Sequence, residues 1–140
     1  MIDMHARKTP KGYYYLASPY SAHTASLRLA RYRLARSATA ALLARGLFVH
    51  SPILHCHDLA ETHDLPKDYA FWSEYNHAMI SRSDGLVIAM IPGWERSVGV
   101  RGEFAFAKRI GLPVSGFAMA EDGSWDWTGD LGVFNAILEG

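Results

Sequence analysis

The chain has 140 residues, the length of one domain, and is 49 % apolar, which provides for a sizeable core and argues against disorder. Its 14 basic and 14 acidic side chains balance, leaving no basic field for a nucleic-acid polymer or an anionic membrane surface, so a small molecule or a protein is the expected partner. The single Cys56 excludes an internal disulfide, Met1 to Lys11 carries no apolar signal core, and no apolar stretch approaches the ~20 residues of a membrane helix. The expectation is a cytoplasmic protein.

Residues 1–140 read as a single domain, with 1–11 as a flexible start. Tyr13 to Ala17 is β-prone and ends at Ser18-Pro19, so it predicts a first strand followed by a loop. From Thr24 to Arg45, Leu27, Ala30, Leu34, Ala38, Ala41 and Leu42 recur at helical spacing, with Arg28, Arg31, Arg33 and Arg36 mostly off that stripe, and Gly46 ends the helix. Leu47 to His50 predicts a short second strand, broken by Ser51-Pro52 and followed by a polar loop rich in His and Asp. Lys67 to Arg82, after Pro66, predicts a second long helix. Asp84 to Met90 is a continuous apolar run of the kind buried in parallel sheets. A helix from the Pro92–Glu103 segment through Arg109 and a fourth strand over Gly111–Phe117 complete an alternation that implies a mostly parallel, doubly wound sheet of four to five strands. The tail, 120–140, carries Trp125, Trp127 and Phe134 and a short helix over about Asp130–Leu138; its aromatics cap the core or meet a second subunit.

The segment from Pro92 to Glu103 concentrates the chemistry. It follows the carboxyl end of a buried strand, where open α/β sheets bind ligands. Ser97 is a candidate N-cap and Gly99 permits close approach to the backbone, so free N–H groups and the positive end of the helix dipole would face an anion. Glu103 lies four residues after Gly99, on the same helix face, and its side chain leans back toward the N-terminus. A capping box would need the acid at Val100, three residues after Ser97, so Glu103 is not explained as a cap.

The motifs Tyr15-Leu16-Ala17-Ser18-Pro19-Tyr20-Ser21, Phe48-Val49-His50-Ser51-Pro52-Ile53 with His55 and His57, Trp72 through Asp84, and Pro92 to Glu103 resemble the nucleoside 2-deoxyribosyltransferase-like superfamily. The likeness spans about Tyr14 to Val114. The Ser-x-Gly-Val-x-x-Glu core is also similar to that of 2′-deoxynucleoside 5′-phosphate N-hydrolases. The resemblance implies a flavodoxin-like three-layer sandwich, attack of Glu103 on C1′ of a sugar, and Ser97 and Gly99 holding its 5′ end. A carboxylate can trap the oxocarbenium-like state through which an N-glycosidic bond breaks. Relatives place an aspartate where this chain has Asn76, which can orient a ligand or donate a hydrogen bond but cannot deliver a proton at neutral pH. Candidate catalytic residues are therefore Glu103 and Asn76, and candidate substrate-binding residues are Tyr15, Ser18, Tyr20, Trp94, Ser97, Gly99 and Val100. Arg96 and Arg101 could strengthen phosphate binding.

The expected activity is cleavage or transfer of the N-glycosidic bond of a nucleoside or its 5′-monophosphate, with hydrolysis favoured because a chain this short leaves little material to enclose a second base. No cofactor is expected. A homo-oligomer, dimer or higher, is expected, with no membrane and no nucleic-acid polymer among its partners. Two rivals stand beside this reading: a nucleotide-binding module or sensor without catalysis, suggested by Asn76, and a metal-dependent phosphohydrolase built on His50, His55, His57, Asp58 and His63. These histidines follow no standard zinc spacing, although His55 and His57 would share a side if extended.

Overall fold

A computed structural model describes residues 11–136 of the chain. Its centre is set by two apolar strands. Strand β1, Tyr14–Ala17, pairs in parallel with β3, Gly85–Ala89, whose five residues are all buried as a central parallel strand requires. On the far side of β1 lies the two-residue β2, Val49–His50, and beyond β3 lie β4, Val114–Met119, and the antiparallel β5, Trp125–Thr128. The order β2-β1-β3-β4-β5 makes a five-stranded, mostly parallel, flavodoxin-like sheet. The chain leaves β1 toward β2 and returns to the other side of β1 as β3, so the switch point falls at the carboxyl ends of β1 and β3.

The period-2 alternation of the strands divides the core into two layers. Tyr15, Ala17, Leu86 and Ile88 face α3, Tyr69–Ser81, and α4, Val98–Arg109; Leu16, Val87 and Ala89 face α1, Ala25–Ala44, and α2, Pro52–Thr62. Thr24 caps α1 by accepting from the Leu27 N–H, and Gly46, at φ 84°, follows its end.

One expectation is overturned and others are refined. The polar loop after Ser51-Pro52 is the helix α2. Ser51 accepts from the Leu54 N–H and Pro52 takes the first helical position, a start signal rather than a break, and Ile53, Cys56 and Ala60 are its buried stripe. His55 and His57 consequently point to different sides. On α1 the expected stripe holds over its second half, where Ala38 and Leu42 are buried and Leu34 and Ala41 pack against the core, but Leu27 and Ala30 are exposed, and Arg28 and Arg31 continue the 3-4 spacing of the buried Ala35, Ala38 and Leu42. The helix expected from about Lys67 to Arg82 is present as Tyr69–Ser81, with Asp68 and Arg82 at its cap positions. The tail contributes strand β5 and, within the span of the expected helix, a 3-10 turn at Gly132–Phe134 that leads into helical residues 135–136; residues 137 and 138 of that expectation and residues 1–10 of the flexible start lie outside the described residues. Trp125 and Phe134 cap the core from the two sides, while Trp127 is exposed. Among the described residues no helix is long and apolar enough to cross a membrane.

Candidate active site

A cavity of about 790 Å³ opens at the switch point, walled by the loop after β1, by α1 and α2, by α3 and by the start of α4. It brings together six of the sequence-predicted residues: Ser18 and Tyr20 from the loop after β1, Asn76 from α3, and Ser97, Gly99 and Glu103 from α4. A 3-10 turn, Trp94–Arg96, leads into α4. Ser97 caps that helix by accepting from the Val100 N–H at 3.2 Å, and the N–H groups of Val98 and Gly99 take no acceptor among the described residues. Four residues advance a helix by about 6 Å, roughly the length of a pentose, which separates this anion-competent end from Glu103.

Glu103 is 4 % exposed and faces the cavity from a largely apolar wall. The Tyr15 hydroxyl, from the middle of β1, donates to Glu103 Oε2. Burial pushes the Glu103 pKa up to about 8, opposed by that hydrogen bond. Burial first and the neighbouring carboxylate second hold Tyr15 well above the usual phenol range, so it remains a donor. Three buried polar atoms of cavity-lining residues lack a partner: Ser18 Oγ, Asn76 Oδ1 and Arg31 Nε. Such atoms are costly to bury unpaired and mark where a ligand would be received.

Three predicted contacts fall elsewhere. Tyr15 lies beneath the cavity and acts on it only through Glu103. Val100 is fully buried in the core and reaches the site only through its backbone bond to Ser97. Trp94 turns away at the 3-10 turn and packs edge-to-face on Phe134, ring centroids 5.2 Å apart, because that layer needs a large side chain over the C-terminal turn. Asp84 sits at the opposite, amino end of β3. Arg101 donates to the Glu95 carbonyl and lies over Phe134, whereas Arg96 lines the cavity.

Among the lining residues outside the sequence-predicted set are Tyr69 and Arg31. Tyr69 packs where Gly99 and Gly102 leave room: a Cβ at Gly102 would lie 2.6 Å from its hydroxyl. That hydroxyl bonds His77 Nε2 at 2.8 Å, and burial, reinforced by Glu103, pushes its pKa up to about 12. Tyr20, pushed up to about 12 mainly by burial, bonds His57 Nδ1. Arg31 enters from α1. The glycines spaced three apart in α4 were the readable sign of a close neighbour, and the spacing of Arg31 from Ala35 and Ala38 was the sign of an inward-facing arginine.

The histidine run forms no single cluster, although the rings of His50 and His55 lie 6.1 Å apart. His57 stacks on Tyr32 beside the cavity, His55 stacks on Tyr75 at the surface, and His50 lies between Tyr13 and Tyr15. Among the described residues no three His, Cys, Asp or Glu side chains come together as a metal-binding group.

Fold and site together define a flavodoxin-like α/β domain with a ligand-sized cleft at its switch point and a buried, tyrosine-bonded glutamate in the wall of that cleft. The chain belongs to the family described as a domain of unknown function, DUF1937, whose pattern matches residues 12–119. The match runs from just before β1 to the end of β4 and includes every residue of the cavity. No curated protein matches the chain.

Proposed function

We propose that this domain binds a nucleoside or nucleoside 5′-monophosphate and cleaves or transfers its N-glycosidic bond, with Glu103 as the nucleophile. The observation that carries the reading is the placement of Glu103: buried in the cavity wall, bonded on one oxygen by Tyr15, and one helical turn from the free N–H groups beyond Ser97. The resemblance of the Ser97-x-Gly99-Val100-x-x-Glu103 segment and of the loop after β1 to nucleoside 2-deoxyribosyltransferase-like proteins points the same way.

The chemistry follows from the charges. The Glu103 carboxylate attacks C1′ as the base departs with the bonding pair, forming a glycosyl ester; water, or an acceptor base, then takes the sugar and frees the carboxylate. Tyr15 spreads the negative charge of the resting carboxylate and keeps it aimed. The leaving base needs a hydrogen-bond donor, and the Asn76 amide together with the protonated Tyr69 and Tyr20 hydroxyls supplies donors within the cavity. Because Glu103 must be ionised to attack, turnover should rise with pH and level off above about 8.

The test is to incubate the protein with a panel of nucleosides and 5′-monophosphates and follow free base by chromatography. Base release that disappears in E103A supports the reading; no release from any member of the panel at pH 8.5 overturns it. Asn76 favours a second reading, a binding module without turnover, since an amide cannot protonate the base. Saturable nucleotide binding without base release would establish that alternative, and activity created by N76D would identify the amide as the cause of the silence.

A further inference from the structure

Arg31 is poorly explained as a structural residue. It stands on the inward face of α1, in the 3-4 spacing of Ala35, Ala38 and Leu42, and lines the cavity. Its Nη1 donates to the Ser21 carbonyl at 2.6 Å, but its Nε is buried without an acceptor, and no carboxylate among the described residues forms an ion pair with it. Arg28, one turn earlier, shows the ordinary solution: it pairs with Glu61 at 3.3 Å and donates to the Ala22 carbonyl. The guanidinium of Arg31 instead reaches Gly93, one 3-10 turn ahead of Ser97. A Cβ on Gly93 would lie 2.7 Å from Nη2, and Gly93 is at φ 96°, so the absence of a side chain there keeps the space for the cation. Lys67 and Arg96 line the same cavity and add positive charge. The unpaired, nine-tenths buried Ser18 Oγ and Asn76 Oδ1 show that the cavity is equipped for a polar ligand.

We infer that Arg31 is the specificity residue of the cavity, selecting a pentose 5-phosphate, and hence nucleoside 5′-monophosphates over uncharged nucleosides. A guanidinium presents a planar fork to phosphate oxygens, and its buried Nε–H with an adjacent Nη–H offers one edge of that fork unoccupied. The N–H groups of Val98 and Gly99 complete the set of donors, and the distance from them to Glu103 fits a pentose. For the identity of the sugar the inference rests on the function proposed above; for the phosphate it rests on Arg31.

Calorimetry with ribose 5-phosphate and with ribose, which contain no base, separates the two. The wild type should bind ribose 5-phosphate at least about tenfold more tightly than ribose, and R31Q should lose about tenfold or more on the phosphate alone. R31K keeps the charge but not the fork and should lose about threefold or more; it serves as the readout if R31Q does not fold. Equal wild-type affinities for the two sugars, or a folded R31Q or R31K with wild-type affinity for ribose 5-phosphate, overturns the inference. If base is released alike from nucleosides and 5′-monophosphates by both wild type and R31Q, the inference fails and the proposed reaction stands. If ribose 5-phosphate binds through Arg31 while no nucleotide releases base, the reverse holds.

Discussion

The sheet has a hollow at each end, and the two treat polar groups in opposite ways. At the amino ends of the parallel strands, a hollow of about 390 Å³ lies among Tyr14, Leu47, Gly85, Pro113 and Trp127. Its one arginine, Arg45, has partners: it donates to the Trp125 carbonyl and to Asp126 and lies over the Phe117 ring. At the carboxyl ends, the cavity of about 790 Å³ leaves Arg31 Nε, Ser18 Oγ and Asn76 Oδ1 unpaired and buries a carboxylate whose pKa has risen to about 8. In the first hollow the lining cation already has partners; the second carries unmet bonding capacity that a ligand would satisfy. Volume alone does not distinguish a site from a gap. Unspent hydrogen bonds and a perturbed carboxyl do.

The contrast can be broken most severely at Glu103. E103A should lower base release by about 10³-fold or more, since it removes the attacking atom while the cavity still binds ligand. A variant that retains turnover would place the chemistry elsewhere.

The cost of the buried carboxyl should be visible in stability. Between the ordinary value of 4.5 and the folded value of about 8, the folded chain holds a proton that the unfolded chain has lost, so stability falls as pH rises through that window and is flat beyond it. E103Q carries no ionisable group there. Its stability relative to wild type should therefore increase by about 4 kcal/mol between pH 5 and pH 9 in denaturant titrations; a pH-independent difference would mean that Glu103 is not buried as described.

Y15F tests the link between core and cavity. Losing the hydroxyl leaves a buried carboxylate oxygen unpaired, at a cost of about 1–3 kcal/mol. It also removes the bond that holds the Glu103 pKa down, so the rise of the pH–rate profile should move to higher pH. An unchanged profile would show that the bond does not act on the reacting carboxyl. The smallest effect belongs to the other end of the sheet. R45Q should cost less than about 1 kcal/mol, because the pair with the exposed Asp126 is screened by solvent, and it should leave ribose 5-phosphate binding untouched. Loss of ligand binding in R45Q would erase the distinction between the two hollows.

Much of this was legible one residue at a time. The apolar run Gly85–Ala89, the Ser97 cap and the register of Glu103 on the face of Gly99 are local consequences of periodicity and capping, and the fold agrees with each. The helix α2 was legible too, in Ser51-Pro52 and the spacing of Ile53, Cys56 and Ala60, but the density of His and Asp obscured it. Trp94 could not be placed from sequence, because whether a loop indole faces a cleft or a core depends on what arrives to pack with it. Phe134 arrives from forty residues away.

The sequence by itself determined most of the alternation of strands and helices, the position of the Pro92–Glu103 segment after the carboxyl end of a buried strand, and the presence of a carboxylate one turn beyond a capped helix start, since these depend on local spacings. Tertiary structure decided that Tyr15 meets Glu103 across 88 positions, that Asn76 and Ser18 are buried without partners, and that Arg31 turns inward to Gly93 rather than to solvent. Burial and partnership are properties of the assembled layers. A carboxyl with a pKa near 4.5 on an isolated helix becomes one near 8 only when strands and helices have removed the water around it.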